Sequence, residues 1–435
     1  MYLKVKQSVR LQGKATPPGS KSQSIRGLFF ALLAEGESIL NNVLDSEDTR
    51  HAIQVCKNLG ATIRIHDNQI ILQSTGIPIE PAVTTLHTGN SGITTRFVMP
   101  LLGFCKNPLQ SVIVDCDEQM RARPIGSLVT ALTQLGLIIE YLNNHGSLPI
   151  SISGHLKGGT AEIDGLTSQF LSALLISLPC ADADSKIIVK NLHERPYVEM
   201  TLDWLKRQNI QYTHQRNKEN DVFFIQGQQK YKNMNTTIAG DFSSASYLIA
   251  AAALTEGCVE LTGLNMQDPQ GDKRLVSLLQ KMGADISIHP TSLVIHGGKP
   301  LKGIQIDAND IPDLLPTLAV IGTYASGKTS IDNVAQARIK ETDRIHSMSE
   351  GLTLMGAKVE EHKDGLTVYQ SSLCGARVKG YGDHRTVMAL SVAGLIAKGV
   401  TLIEESEAIH KTYPHYVNTM KLLGAHMEET NDINH

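Results

Sequence analysis

No stretch of this 435-residue sequence approaches the roughly 20 consecutive apolar residues that a membrane-spanning helix needs. The opening segment MYLKVKQSVRLQGK alternates polar and apolar residues like a strand and lacks the apolar core of a signal peptide. An excess of one charge is also missing. The formal net charge is -3, so no global basic field draws the chain to nucleic acid or acidic lipid. Cysteines are few and scattered (Cys56, Cys105, Cys116, Cys180, Cys258, Cys374) with no CxxC pair. That argues against a disulfide frame or a zinc site and for reduced thiols in a cytoplasmic protein. Any anion binding must therefore come from a local cluster of residues.

What the sequence does contain is repetition. Six Gly/Ser/Thr-rich or polar turns each open an apolar helix: GSKSQSIR from Gly19, GNSGITTR from Gly89, GLTSQF from Gly165, GDFSSAS from Gly240, NDIPDLLP from Asn309 and GDHRTV from Gly382. A second echo follows each in phase, from LGATIRI at Leu59 to LGAHMEE at Leu423. The period, roughly 70–75 residues, is too long for a hairpin, so each copy is a small subdomain. Within a copy, the apolar helix, a β-branched run, a polar helix and two further strands read β-α-β-α-β-β, an α/β assignment. The apolar helices carry few charges, which places them inside a domain with sheets outside. Six copies exceed one core, and three plus three is the natural division, with a boundary near GQQKYKNMNTT. The expected domains are 18–237 and 1–17 plus 238–435, with the N-terminal strand crossing over into the second.

The differences between copies carry the chemistry. A buried helix start has N–H groups without intrahelical partners and a partial positive charge, and so suits phosphate or carboxylate. Cations stand at several starts: Lys21 and Arg26 in the first, Arg96 in the second, Arg385 in the sixth. Arg123 in MRARPIG, Lys340 and Arg344 in KETDR, and Lys411 in HKTYP lie outside them. Singly, each is as readily a solvated surface charge, and KETDR alone is as readily a salt-bridged helix surface. Recurrence at unit boundaries points instead to a shared anionic pocket, with Arg suited to bidentate contacts and Lys to a point charge. Glu341, Asp313 and the pair Asp383–His384 add titratable groups suited to proton transfer beside an anionic substrate. Gly322 to Thr329, GTYASGKT, satisfies the phosphate-loop pattern but follows a helix and precedes a strand, the reverse of the order that loop requires.

With GSKSQSIR, GNSGITTR, RARPIG, TSQF, RPYVEMTL, GDFSSASY, IPD, KETDR, GDHR and KTYP in this order, nearly the whole chain resembles the 5-enolpyruvylshikimate-3-phosphate synthase family. The resemblance implies the inside-out α/β barrel of enolpyruvyl transferases: two globular domains of three units each, closing over a cleft that holds the active site. It implies transfer of the enolpyruvyl group of phosphoenolpyruvate to the 5-hydroxyl of shikimate 3-phosphate, in aromatic amino-acid and chorismate biosynthesis, by a cytoplasmic monomer. No metal, no cofactor, no nucleic acid and no membrane are implied. Catalysis would fall to Lys21, Asp313, Glu341 and His384. Shikimate 3-phosphate would meet Lys21, Ser22, Arg26, Thr167, Ser168, Gln169, Tyr197, Asp313, Gln336 and Lys340. Phosphoenolpyruvate would meet Lys21, Asn90, Gly92, Arg123, Gln169, Arg344, Arg385 and Lys411. The first, second, third and sixth helix starts would carry most ligands, the fifth would supply Asp313, and the fourth would be mainly structural.

The chain departs from the family pattern at named positions. Ile93 and Phe97 stand where Thr and Pro are common, Gln336 where Asn is frequent, Thr167 where Ser is usual, and Glu194 where many members have Ser near the substrate phosphate. A carboxylate at 194 would repel phosphate unless it turned away or paired with Arg195. Ile93 and Phe97 are expected to narrow the phosphoenolpyruvate pocket and reduce glyphosate sensitivity. Two rivals remain. The sister enzyme acting on UDP-N-acetylglucosamine usually carries a reactive Cys about five residues before the Arg matching Arg123, but Cys116 is out of register. The other rival is a non-catalytic anion-binding paralogue.

Overall fold

The computed structural model describes residues 1–217 and 220–431. The six apolar segments form six helices: α1 (Lys21–Leu33), α2 (Gly92–Leu101), α3 (Ser168–Ser177), α4 (Phe242–Leu254), α5 (Leu315–Tyr324) and α6 (His384–Ile396). Their sequences are apolar on every side, so no face prefers water and all six are buried almost throughout. In α1 only Lys21 and Ser22 escape full burial, and in α3 only Gln169 does; the exceptions sit at helix starts. Four starts are closed by a capping side chain from the opening turn: Ser91 accepts from the Thr94 N–H, Thr167 from Gln169, Asp241 from Ser244 and Asp383 from Arg385.

The chain divides by contact into two compact units: a first, Lys21–Ile238, and a second, Met1–Ser20 with Ala239–His435. The first has one apolar core around α1, α2 and α3, and the second one around α4, α5 and α6. In the first unit α2 packs on both α1 and α3, and in the second α4, α5 and α6 pack on one another. Amphipathic outer helices, such as Glu47–Asn58 and Arg195–Arg207, cover the periphery.

Each unit carries three four-stranded sheets, and all six share one pattern: a parallel pair followed by two antiparallel pairings. Three sheets draw all four strands from their own copy. The other three are completed from elsewhere in the chain. Asn235–Thr237 pairs in parallel with Glu35–Asn41, Gly13–Ala15 with Cys258–Thr262, and Tyr2–Lys6 lies between Val400–Glu404 and Met427–Thr430. The expectation of six similar α/β units is met, and these borrowed strands are the detail that periodicity cannot reveal. The phosphate-loop lookalike is indeed the turn between α5 and the strand Lys328–Asp332, with no helix opening from it. No helix among the described residues is long and apolar enough to cross a membrane.

Candidate active site

In the first unit the starts of α1, α2 and α3 are tied together by arginines. Arg26, only 1% exposed, donates from Nε to the Thr201 hydroxyl at 2.9 Å and from its terminal nitrogens to the carbonyls of Ser22 at 3.0 Å and Tyr197 at 2.8 Å. It thereby fixes α1 against the outer helix Arg195–Arg207, while Phe97 lies beneath its guanidinium, 5.4 Å to the ring centroid. Arg96 donates to the Gln169 side-chain oxygen at 2.8 Å and to the carbonyls of Gly92 and Pro124 at 3.2 and 3.0 Å. Lys21, half-buried, pairs with Asp48 at 2.9 Å. Asn90 donates to Gln119. Ser22 and Tyr197 are half-buried beside these groups.

Gly92 has a steric reason to be glycine. A Cβ there would lie 2.6 Å from a terminal nitrogen of Arg123 and 2.7 Å from one of Arg96. The two guanidinium groups therefore converge on the backbone where α2 begins, concentrating positive charge at a helix start.

Glu194 turns onto the start of α3. It stands just before the helix Arg195–Arg207 with a left-handed backbone, φ 55°, and its side chain is buried. One carboxylate oxygen accepts from the Ser168 hydroxyl at 2.8 Å, the Ser168 N–H at 3.2 Å and the Thr167 hydroxyl at 3.4 Å. Arg195 is engaged by Asp221, at 3.0 and 2.7 Å. The carboxylate thus faces inward, on the start of α3.

In the second unit Arg344 is the hub. It is 1% exposed, and donates to Asp383 at 2.7 Å, Asp313 at 2.7 Å and Glu341 at 2.5 Å. Burial works against its charge, but Asp383, Glu341 and Asp313 outweigh burial and hold the guanidinium well above its ordinary pKa. KETDR is therefore not a solvated helix surface. Asp343 caps the helix Arg344–Leu354, and that turn aims Arg344 inward. Arg385 donates to the other Asp313 oxygen at 2.7 Å, and Lys411 to the Gly382 carbonyl at 2.8 Å. His384 opens α6, buried, with Nδ1 3.6 Å from Asp383. Gln336 donates to the Asn309 carbonyl at 2.9 Å, and Lys340 and Glu341 are half-buried.

Sequence reasoning missed three carboxylates. Asp48 lies in the first turn of an outer helix, and nothing in its spacing points to Lys21. Asp272 is buried in the second unit, accepts from the Ser243 hydroxyl, and has its pKa pushed up to about 7 by burial and by Asp313. Asp241 caps α4 and adds to that repulsion. Asp272, which holds Ser243 at the fourth helix start, thus feels the charges of Asp313 and Arg385. Cys116 is buried, and burial pushes its thiol up to about 12, far from the thiolate a nucleophile needs. Among the described residues no group of three or more His, Cys, Asp or Glu is placed to hold a metal ion.

Three buried helices and three like sheets in each unit, with cations at the helix starts, define an enolpyruvyl transferase fold. The enolpyruvyl transferase NikO from Streptomyces tendae matches it with a TM-score of 0.78 at 17% identity, covering 99% of this chain and 98% of its own. An EPSP synthase from Acinetobacter baumannii matches with a TM-score of 0.83 at 25% identity, covering 98% of this chain and 99% of its own. The family model described as EPSP synthase (3-phosphoshikimate 1-carboxyvinyltransferase) matches residues 5–420, and the chain belongs to that family. Proteins named 3-phosphoshikimate 1-carboxyvinyltransferase from Acetivibrio thermocellus and Ruminiclostridium cellulolyticum are 44% and 42% identical to it. Each alignment covers 98% of this chain, and 99% and 100% of the respective relative.

Proposed function

We infer that the chain transfers the enolpyruvyl group of phosphoenolpyruvate to the 5-hydroxyl of shikimate 3-phosphate, releasing phosphate. The observation that carries this is the family match over residues 5–420. In the mechanism we propose, the methylene carbon of phosphoenolpyruvate takes a proton and positive character builds at C2. The acceptor hydroxyl adds there as it loses its proton, and the tetrahedral intermediate then loses phosphate and a methyl proton. Arg123, Arg344, Arg385, Lys411 and Lys21, with Asn90, Gly92 and Gln169, hold the carboxylate and the leaving phosphate. Fixed cations at these anions stabilise charge that grows on the departing group.

Ser22, Arg26, Thr167, Ser168, Gln169, Tyr197, Gln336 and Lys340 orient shikimate 3-phosphate. Glu341, Lys21 and His384 move the proton at the methylene carbon, and Asp313 assists loss of the hydroxyl proton. In support, Asp313 and Glu341 share Arg344, so two proton-carrying carboxylates sit on one fixed cation. We further propose a cytoplasmic monomer acting only on small molecules; light scattering that gives a dimer mass would overturn the monomer. We also propose reduced glyphosate sensitivity, on the ground that Ile93, next to Gly92, and Phe97, further along α2, are both buried.

A phosphate-release assay with phosphoenolpyruvate tests the activity. Turnover is expected with shikimate 3-phosphate and not with UDP-N-acetylglucosamine. Turnover with the latter alone would assign the sister reaction, and folded protein inert toward both would be a binding paralogue.

A further inference from the structure

In the first unit a carboxylate sits on donors proposed to meet shikimate 3-phosphate, at the position where the family pattern places a Ser near the substrate phosphate. The Ser168 N–H, the Ser168 hydroxyl and the Thr167 hydroxyl all point at one oxygen of Glu194. These donors form the start of α3, where unpaired N–H groups and the helix dipole favour an anion. A carboxylate oxygen and a phosphate oxygen make the same demand on them, so the two cannot be served at once.

The backbone of Glu194 is held independently of these side-chain contacts. Its carbonyl accepts from the Tyr197 N–H at 3.0 Å, and Arg195 is braced by Asp221 at 3.0 and 2.7 Å. Tyr197 is in turn held through its carbonyl by Arg26 at 2.8 Å.

We propose that Glu194 is an internal competitor for the acceptor's phosphate, a carboxylate latch on the start of α3 that shikimate 3-phosphate displaces as it binds. This rests on the assignment of Thr167 and Ser168 to that substrate. Binding then includes breaking the latch's hydrogen bonds and moving a buried carboxylate out of the path of a second anion. Phosphate, with more charge and more acceptor oxygens than a carboxylate, is the ligand able to do so. The latch weakens acceptor binding and leaves the chemistry at the transferred group untouched. It also keeps the buried donors of α3 satisfied when no substrate is bound.

The test is steady-state kinetics on Glu194→Ser and Glu194→Gln, with folding checked by circular dichroism. Glu194→Ser empties the latch, whereas Glu194→Gln keeps its size and removes its charge, so the second still reports if the first folds poorly. The KM for shikimate 3-phosphate is expected to fall about tenfold in Glu194→Ser and by less in Glu194→Gln, with the effect confined to that KM. Titration calorimetry with shikimate 3-phosphate should show the same gain in affinity. A merely structural role for Glu194 would raise the KM, since Thr167 and Ser168 would lose their support. An unchanged or raised KM in both variants overturns the latch. Ser168→Ala separates the two levels. If it raises the KM while the Glu194 variants do not lower it, the latch fails and the phosphate assignment survives. If all three leave the KM unmoved, the assignment fails and the latch with it.

Discussion

The two units are built on one plan but hold their cations differently. In the first, Arg26 and Arg96 donate to carbonyl, hydroxyl and amide oxygens, which are neutral. In the second, Arg344 and Arg385 donate to carboxylates. A cation fixed by neutral acceptors keeps its full charge available to an incoming anion. One fixed by carboxylates has its field largely cancelled, but the carboxylates gain a firm position and can carry protons. That contrast supports the proposed roles, anion gripping in the first unit and anion binding with proton transfer in the second. Lys21 with Asp48 and Arg195 with Asp221 are exceptions in the first unit.

The sharpest way to break this comparison is to remove Arg344. Arg344→Met leaves Asp313, Glu341 and the fully buried Asp383 without their common cation. Losing one partner of a buried ion pair costs about 3–5 kcal/mol, measured by urea unfolding. Phosphate release should fall at least about a hundredfold alongside. Wild-type stability in this variant would show that the carboxylates do not depend on Arg344.

Arg26→Met in the first unit should cost less, about 1–3 kcal/mol, because it strands neutral carbonyls and not charges. The KM for shikimate 3-phosphate should rise. A loss as large as that of Arg344→Met would erase the distinction between the units.

Asp272 tests the second unit's acidic character through pH. Its pKa in the fold is about 7 against an ordinary 3.8, so the folded chain keeps a proton that the unfolded chain releases between those values. Stability from this group is therefore full below about pH 4, falls as pH rises, and levels off above about pH 7. Asp272→Asn should flatten that slope and raise the melting temperature at pH 8 by about 2–4 °C for each kcal/mol gained. A melting profile against pH that matches wild type would remove Asp272 from the account.

The smallest effect is expected at α2. Ile93→Thr, with or without Phe97→Pro, should increase glyphosate inhibition by several-fold at matched phosphoenolpyruvate. Phe97 packs edge-on against Phe29 at 5.8 Å, so the double variant should also be less stable. Unaltered inhibition in both would exclude these residues as the cause of any tolerance.

Much of this molecule was legible from the chain alone. Six apolar segments without charged faces had to become buried helices, and the turns before them had to present polar groups where those helices begin. Lys21, Arg96, Asp313, Arg344 and Arg385 stood out because cations and carboxylates recur at equivalent points of the repeat. Asp48 and Asp272 did not, since each meets its partner only through packing between segments distant in sequence. Local sequence suggested that the N-terminal strand crosses into the second unit, but not that Tyr2–Lys6 lies between Val400–Glu404 and Met427–Thr430.

Composition and period by themselves determined the class of fold, the number of repeats and the placing of chemistry at helix starts, because hydrophobic burial and helix capping act over a few residues. Tertiary structure alone decided what each charged group faces. Arg26 could have met carboxylates and meets carbonyls; Glu194 could have turned to water and lies on the start of α3. Electrostatic energy depends on distances of a few ångströms in a low-dielectric interior, and those distances are set by packing, not by spacing along the chain.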